Sequence, residues 1–172
     1  MKKKVIIGFV MLLAVLGIGT IAAYLMDADF ATNKTTIGGS NLTIEEKFEP
    51  PSEVHPGDVI AKDVKIRNLG PSNCYVRVKA VFTNSDMGKY CTVDWNTSDW
   101  DYSQEDGYYY YKKALVKGES TTSLFTTISV DPNADEQDFG DLDVLVYAES
   151  YQQGSFKDYA SAWQEFKKNK PQ

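Results

Sequence analysis

The chain has 172 residues, a formal net charge of −6 at pH 7, two cysteines and one histidine. An acidic chain without clustered Lys and Arg lacks the positive patch that a nucleic-acid backbone attracts, so this composition argues against a nucleic-acid-binding protein. The length suits one domain with its own hydrophobic core. Eleven tyrosines, together with the frequent Val, Ile and Thr in the middle of the chain, favour β-strands.

The N-terminal segment has the composition of a secretory signal. Three lysines precede an apolar run, Val5–Met26, and small residues lie near the end of that run. Signal peptidases require small side chains beside the scissile bond, and the pair Ala22 and Ala23 meets this requirement. We therefore predict a signal peptide over residues 1–23, with cleavage before Tyr24.

Cleavage changes both the charge and the location of the protein. Removing the signal leaves 149 residues, since 172 minus 23 is 149, and the loss of Lys2, Lys3 and Lys4 lowers the net charge from −6 to −9. The mature form is predicted to be secreted to the extracellular matrix or cell surface, with membrane contact only through the signal segment before cleavage. A retained anchor is the alternative, because the apolar run is close to the roughly 20 residues that a bilayer-spanning helix needs.

The residues around the cleavage position carry a family resemblance. Thr20-Ile21-Ala22-Ala23-Tyr24 is followed by Asp27 and Asp29, and then by Ala31-Thr32-Asn33 and Ile37-Gly38. This arrangement resembles the TasA/camelysin group, which comprises exported proteins of Gram-positive bacteria. The remainder of the chain is similar to that group in pattern at three short places, Pro56-Gly57-Asp58, Lys65–Asn68 and Lys117–Thr121.

The resemblance implies properties that the residues alone do not give. It implies processing by a dedicated signal peptidase of the SipW type, a jelly-roll fold and a place in fibres of the biofilm matrix. The partners would be further copies of the chain or other matrix proteins. The two cysteines are a departure from what that family leads us to expect.

The segment after the signal, Tyr24–Ser40, is predicted to be a mobile N-terminal arm because it has few bulky apolar residues. Such an arm can add a strand to the open sheet edge of a neighbouring subunit, and a head-to-tail contact of this kind generates filaments. We expect Thr35, Thr36 and Ile37 to form the core of the donated strand. The alternatives are a linker, or a strand folded back on its own domain.

The remaining residues, 41–170, are predicted to form a single domain. Alternating apolar and polar side chains bounded by turn residues predict seven strands. They lie at residues 41–48, 59–68, 74–83, 90–95, 108–115, 124–130 and 141–150. Residues 96–107 are predicted to form a loop.

A helical period follows the last strand, and a helix is predicted near residues 156–168 with Ser155 as its N-cap. The fold class is therefore all-β, an antiparallel β-sandwich with a short C-terminal α-helix. The spacing of the strands leaves a jelly-roll and an Ig-like strand order equally open.

Cys74 and Cys91 form the candidate disulfide, because an even number of cysteines in an exported chain permits a bond. It would close a loop of about 17 residues and stabilise the fold by about 3 kcal/mol. The alternative is a pair of reduced cysteines that act as small apolar side chains.

An aromatic stretch is the candidate binding surface, because flat rings on a sheet can stack on sugar rings or pack against another protein. It comprises Trp95, Trp100, Tyr102, Tyr108, Tyr109, Tyr110 and Tyr111. The alternative is that half of these rings fill the sandwich core and half cover the outer face of a sheet.

The sequence does not point to catalysis. Camelysin has been classed as a metalloprotease, but this chain has no His-Glu-x-x-His motif, and His55 is its only histidine. No Gly-x-Ser-x-Gly motif places a nucleophile either. We predict no catalytic residue, no metal and no cofactor. The expected function is a structural subunit of an extracellular fibre, and the alternative is a monomeric surface module that binds glycan or protein through the aromatic stretch.

Overall fold

Two β-sheets packed face to face form the body of the protein. The computed structural model describes residues 35–36, 42–48, 51, 53–135, 139 and 144–169. Sheet 1 has five described strands and sheet 2 has four. Every described strand pair is antiparallel except the one that residues 35–36 form, which is parallel. The predicted antiparallel β-sandwich is confirmed, and Thr32–Gln172 forms one compact unit.

The strands and helices have the following bounds. In order across the sheet, sheet 1 consists of β1 (Thr35–Thr36), β9 (Val144–Gln152), β4 (Cys74–Phe82), β7 (Tyr108–Tyr111) and β6 (Trp100–Ser103). Sheet 2 consists, in order, of β2 (Leu42–Phe48), β3 (Val59–Asn68), β8 (Phe125–Val130) and β5 (Cys91–Val93). Two helices complete the described structure, α1 (Ser85–Gly88) and α2 (Tyr159–Asn169).

The core between the sheets follows from the predicted alternation. Val76 and Val78 of β4 lie fully buried between the sheets, and Arg77 between them lies on the opposite, outer face of sheet 1. In β9, Val146 and Ala148 likewise point into the core. Each fully buried side chain of the size of valine contributes about 1.5–3 kcal/mol, so these alternating positions fix which face of each strand is internal.

A second apolar cluster lies outside the sandwich, where α2 covers the outer face of sheet 1. Its buried members are Tyr75, Tyr110, Ala162, Trp163 and Phe166. Because an 11-residue helix is marginal alone in water, α2 depends on this contact for its stability.

The structure corrects the predicted loop at residues 96–107, which contains strand β6. Its residues Trp100–Ser103 pair with β7 through a turn that ends at Gly107, where φ is +71°. Acidic residues on the outer face and in the turn surround this strand, so its short alternation of apolar and polar residues does not stand out in the sequence. A residue other than glycine would be strained at that turn.

The helix starts later than predicted, at Tyr159 instead of residue 156. Gly154 adopts a positive φ of +48°, and the Phe156 N–H donates to Gln153 O, so this segment forms a turn. The Asp158 side chain accepts from the Ser161 N–H at 2.8 Å and therefore provides the cap predicted for Ser155.

Several sequence predictions lie outside the described residues. They concern the signal peptide with its cleavage site at Ala22, Ala23 and Tyr24, most of the N-terminal arm, and Ile37 of the candidate donor strand. Within the part of the chain that is described, no helix is both long and apolar enough to cross a membrane.

Candidate functional site

The first feature of interest is the side of β9 that faces away from β4. On its β4 side, β9 is paired over nine positions, from Val144 to Gln152. On the other side, the described residues contribute only Thr35 and Thr36, which pair in parallel with Glu149 and Ser150. Two of the three candidate donor residues therefore pair with β9 of their own chain, which corresponds to the alternative of a strand folded back on its own domain.

The β9 edge carries less charge than the edge of the other sheet on the same side. Within its nine residues, VLVYAESYQ, β9 has one ionisable acid or base, Glu149, apart from its tyrosines. The edge strand β2 has three charged residues among seven. Lys62 of β3 also fixes β2, because its Nζ lies 3.1 Å from Glu46 Oε2 and 4.3 Å from the centre of the Phe48 ring. Charged side chains protect edges against strand addition, so β9 is the less protected strand.

The one acidic residue of β9 is held by an arginine of the neighbouring strand. Arg77 is the cross-strand partner of Glu149, and its Nε donates to Glu149 Oε2 at 2.6 Å. The Arg77 Nη2 also contacts that oxygen. On its other side, the Arg77 guanidinium donates to the Tyr110 hydroxyl at 3.2 Å and lies 3.6 Å from Asp106. The carboxylate of Glu149 is thus drawn onto the outer face of sheet 1.

Arg77 itself is only 4% exposed because aromatic rings enclose it. Its guanidinium carbon lies 4.1 Å from the ring centre of Tyr108, 4.5 Å from Trp163 and 4.9 Å from Phe166. Burial alone would lower the pKa of Arg77, but the hydrogen bonds that it donates to Tyr110 and Glu149 outweigh burial and raise that pKa. The arginine therefore remains a cation and joins β9 to helix α2.

Ion pairs attach the same helix to the turn between β6 and β7. Lys167 lies 3.0 Å from Glu105 and 3.3 Å from Asp106. The Tyr159 hydroxyl donates to Asp101, and this hydrogen bond, with burial, raises the pKa of Tyr159 to about 12. The same bond lowers the pKa of Asp101. Polar contacts thus clamp both ends of α2 to sheet 1.

A shallow groove of about 310 Å³ lies between α2 and this turn. Its lining includes the rings of Tyr110, Tyr159 and Trp163 together with Glu105 and Lys167. The two charged residues pair with each other, and both tyrosine hydroxyls bind aspartates. The polar groups named here are therefore already engaged within the protein.

The candidate aromatic surface is divided among three environments. Trp95, Trp100, Tyr109 and Tyr111 pack in the core, where Trp95 stacks on Tyr109 with ring centres 4.4 Å apart. Tyr108 and Tyr110 lie on the outer face in the cluster formed with α2. Tyr102 alone among the seven is largely exposed, at 53%. The structure therefore favours the alternative, in which these rings fill the core and cover a sheet face.

The predicted disulfide between Cys74 and Cys91 is absent from the structure, and the two cysteines are thiols. Cys74 is the first residue of β4. Cys91 lies near the other end of that strand: its Sγ donates to Met87 O, and the next residue, Gly88, lies beside Phe82, the last residue of β4. Eight steps of about 3.3 Å along β4 separate these ends by roughly 26 Å. A disulfide needs Cα atoms about 4.4–6.8 Å apart, so this arrangement cannot form one.

We expect the native protein to contain two thiols and no disulfide. Intact mass after denaturation and alkylation should show two alkyl groups without prior reduction. Under native conditions Cys91, which is partly exposed, should react before the fully buried Cys74. Burial raises the pKa of Cys91, so this reaction should be slow. A mass two units lower that resists alkylation would contradict the structure.

His55 lies in a turn in which the Asp58 N–H donates to the His55 carbonyl oxygen at 3.1 Å. Its backbone N–H donates to Asp58 at 2.7 Å, and its side chain is 57% exposed. The described residues contain no group of three or more His, Cys, Asp or Glu side chains arranged to hold a metal ion.

Sequence reasoning missed Arg77 and Glu149 because each was seen only as the polar half of an alternating strand. A signal was present: Arg77, Tyr108 and Tyr110 all fall on the outer parity of their strands, and α2 has an aromatic stripe of its own. Docking that stripe on the outer face would have placed the arginine among the rings. No family model, curated protein or solved structure matches this chain.

Proposed function

We propose that this chain is an exported, non-enzymatic structural subunit that assembles head to tail into an extracellular fibre. The N-terminal arm of one subunit adds to the β9 edge of the next. Each subunit then has one donor and one acceptor, and because such a contact does not close on itself it propagates as a filament.

The observation that supports this proposal most strongly is the pairing of the arm with β9. Among the described residues, Thr35 and Thr36 of the arm pair with β9 in parallel, a pairing that is slightly weaker per residue than an antiparallel one. The arm of another molecule could take the same place on β9, and backbone hydrogen bonds would then supply most of the affinity. In the register seen at Thr35, a strand that continued toward Ala31 would reach Leu145.

The sequence adds independent support for the location and the family. A predicted signal peptide directs the chain out of the cell, and the residues that follow it resemble the TasA/camelysin group. Processing by a SipW-type peptidase, a jelly-roll strand order and a biofilm-matrix setting belong to this proposal. The alternative of an aromatic binding module has less support, because six of its seven rings are buried or half-buried.

Deletion of the arm provides the test. The mature chain lacking Tyr24–Ser40 is expected to form no filaments in negative-stain microscopy at concentrations where the mature chain does. Its thermal unfolding should change little, because the described part of the arm adds only a two-residue strand. Filaments that persist in the deleted chain, or a mature chain that stays monomeric at every concentration, would refute the proposal.

A further inference from the structure

We propose that Tyr102 is a site of oxidative cross-linking, at which the tyrosine rings of two copies of this chain are joined covalently. The co-reactant is a one-electron oxidant of the peroxidase type that uses hydrogen peroxide. The inference goes beyond the proposed function and does not depend on it, because the bond can form between two free copies in solution.

The exposure of Tyr102 sets it apart from the other tyrosines. The structure describes ten of the eleven tyrosines, all except Tyr24. Within these ten, Tyr102 is the one that is largely exposed, at 53%, and the others are buried or only partly exposed. Coupling requires the edges of two rings to meet, so among the described tyrosines Tyr102 is the one that a second copy can reach.

A row of aromatic rings leads from the core to Tyr102. Its ring centre lies 4.7 Å from that of Tyr109, and Tyr109 stacks on Trp95 with ring centres 4.4 Å apart. Trp95 in turn contacts Phe125 at 5.2 Å, and Phe125 is 1% exposed, so the row begins inside the sandwich. Trp and Tyr are the most easily oxidised of these rings, and rings in contact can pass an electron from one to the next. An electron vacancy on Trp95 or Tyr109 therefore has a path to Tyr102.

Tyr102 is the ring of this row at which an oxidised state can form a stable radical and react. A phenol becomes a neutral radical only when it also loses its hydroxyl proton. Burial is the main cause that raises the pKa of Tyr109 to about 12, so its hydroxyl holds that proton tightly. The exposed Tyr102 hydroxyl can release its proton to water. The vacancy should therefore settle on Tyr102.

Coupling removes two electrons and two protons from a pair of tyrosines. Each phenol gives up one electron and its hydroxyl proton, and the two radicals form a carbon–carbon bond between ring positions next to the hydroxyls. The hydrogen on each bonded carbon then moves to the oxygen, which restores both phenols. Hydrogen peroxide accepts the two electrons and two protons and becomes two molecules of water. The product is lighter than two chains by two hydrogen atoms.

Tyr102→Phe is the test variant, because it keeps the ring and its contacts and removes only the hydroxyl that coupling requires. The mature chain is treated with peroxidase and hydrogen peroxide, and the products are separated under denaturing and reducing conditions, which exclude a disulfide through Cys91. The unsubstituted chain is expected to give mainly a covalent dimer that shows the fluorescence of coupled tyrosines. Tyr102→Phe should lose nearly all of this dimer and keep the thermal unfolding of the unsubstituted chain.

Tyr147→Phe and Tyr24→Phe are the matched controls. Tyr147 is partly exposed on the outer face of the same sheet, and Tyr24 lies outside the described residues. Both variants should give the same yield of dimer as the unsubstituted chain, and tandem mass spectrometry of the digested dimer should find Tyr102 on both sides of the bond.

Three results would overturn the inference: a dimer that persists in Tyr102→Phe, a dimer that is lost in either control, or an unsubstituted chain that gives no covalent dimer. Filament growth enters none of these results, so a failure here does not bear on the proposed function. Failure of the arm deletion to stop filaments would, in turn, leave the role of Tyr102 as it stands.

Discussion

Trp163→Ala should lower the free energy of unfolding by about 3–5 kcal/mol, the cost of deleting a buried large aromatic side chain. Trp163 is 2% exposed and lies at the centre of the contact between α2 and sheet 1. Its ring centre is 5.8 Å from that of Tyr110, 6.2 Å from Tyr151 and 5.1 Å from Phe166. The same ring covers the Arg77 guanidinium, so its removal would leave that buried charge beside an empty cavity.

The physical reason for so large an effect is that α2 has no other source of stability of comparable size. An 11-residue helix gains little from its own hydrogen bonds in water, and its ion pairs from Lys167 to Glu105 and Asp106 are partly exposed and therefore weak. We expect α2 to detach in this variant before the sandwich unfolds. Urea unfolding followed by circular dichroism would give the free energy, and limited trypsin digestion at Lys167 and Lys168 would report detachment.

Two control variants separate the packing of Trp163 from other effects. Trp163→Phe should cost much less, because the indole N–H makes no hydrogen bond within the described structure and the ring contacts are mostly kept. Tyr102→Ala removes a ring that is half exposed and should cost about 1 kcal/mol or less. If Trp163→Ala unfolds like the unsubstituted chain and α2 resists trypsin, the helix is not held by this cluster.

The strands that sequence predicts best are those in which a buried face meets a solvated one. In β3 and β4 the alternation of Val and Ile with Lys and Arg marks both the strand and its inner face, and the bounds agree within one residue. β6 was missed because only Trp100 is buried among its four residues. Tyr102 lies on the same face as Trp100 and contacts Tyr109 but is half exposed, and Asp101 on the other face binds Tyr159 of α2, so burial marks the alternation at one residue alone.

The candidate site was harder to predict because it is made by contacts between distant segments. Arg77, Tyr108, Glu149 and Trp163 come from three strands and one helix, and each is unremarkable in its own segment. The four consecutive tyrosines belong to the candidate binding surface, for which burial of half of the rings is the alternative. Because a strand sends successive side chains to opposite faces, Tyr109 and Tyr111 lie in the core. The candidate disulfide between Cys74 and Cys91 is wrong for a similar reason: the spacing of two cysteines along the chain does not give the distance between them in the folded sandwich.

Leu145→Lys should block filament growth while leaving the stability of the subunit nearly unchanged. Leu145 lies on β9, beside the part of its edge that has no described partner, and its side chain is 37% exposed on the outer face. A lysine at this position can keep its ammonium in water in the monomer. It would be crowded by an incoming strand, and this is how natural edge strands resist unwanted pairing.

Val81→Lys is the matched control, because Val81 is the cross-strand partner of Leu145 on β4 and is 42% exposed on the same face. It adds the same charge to the same surface, but on an internal strand whose two sides are already paired with β9 and β7. We expect Leu145→Lys to abolish elongation in a seeded assay and Val81→Lys to change it by less than about twofold, with both unfolding within about 0.5 kcal/mol of the unsubstituted chain. Equal inhibition by both variants would indicate that the outer face, and not the β9 edge, forms the contact between subunits. Unimpaired growth of Leu145→Lys would remove β9 as the acceptor.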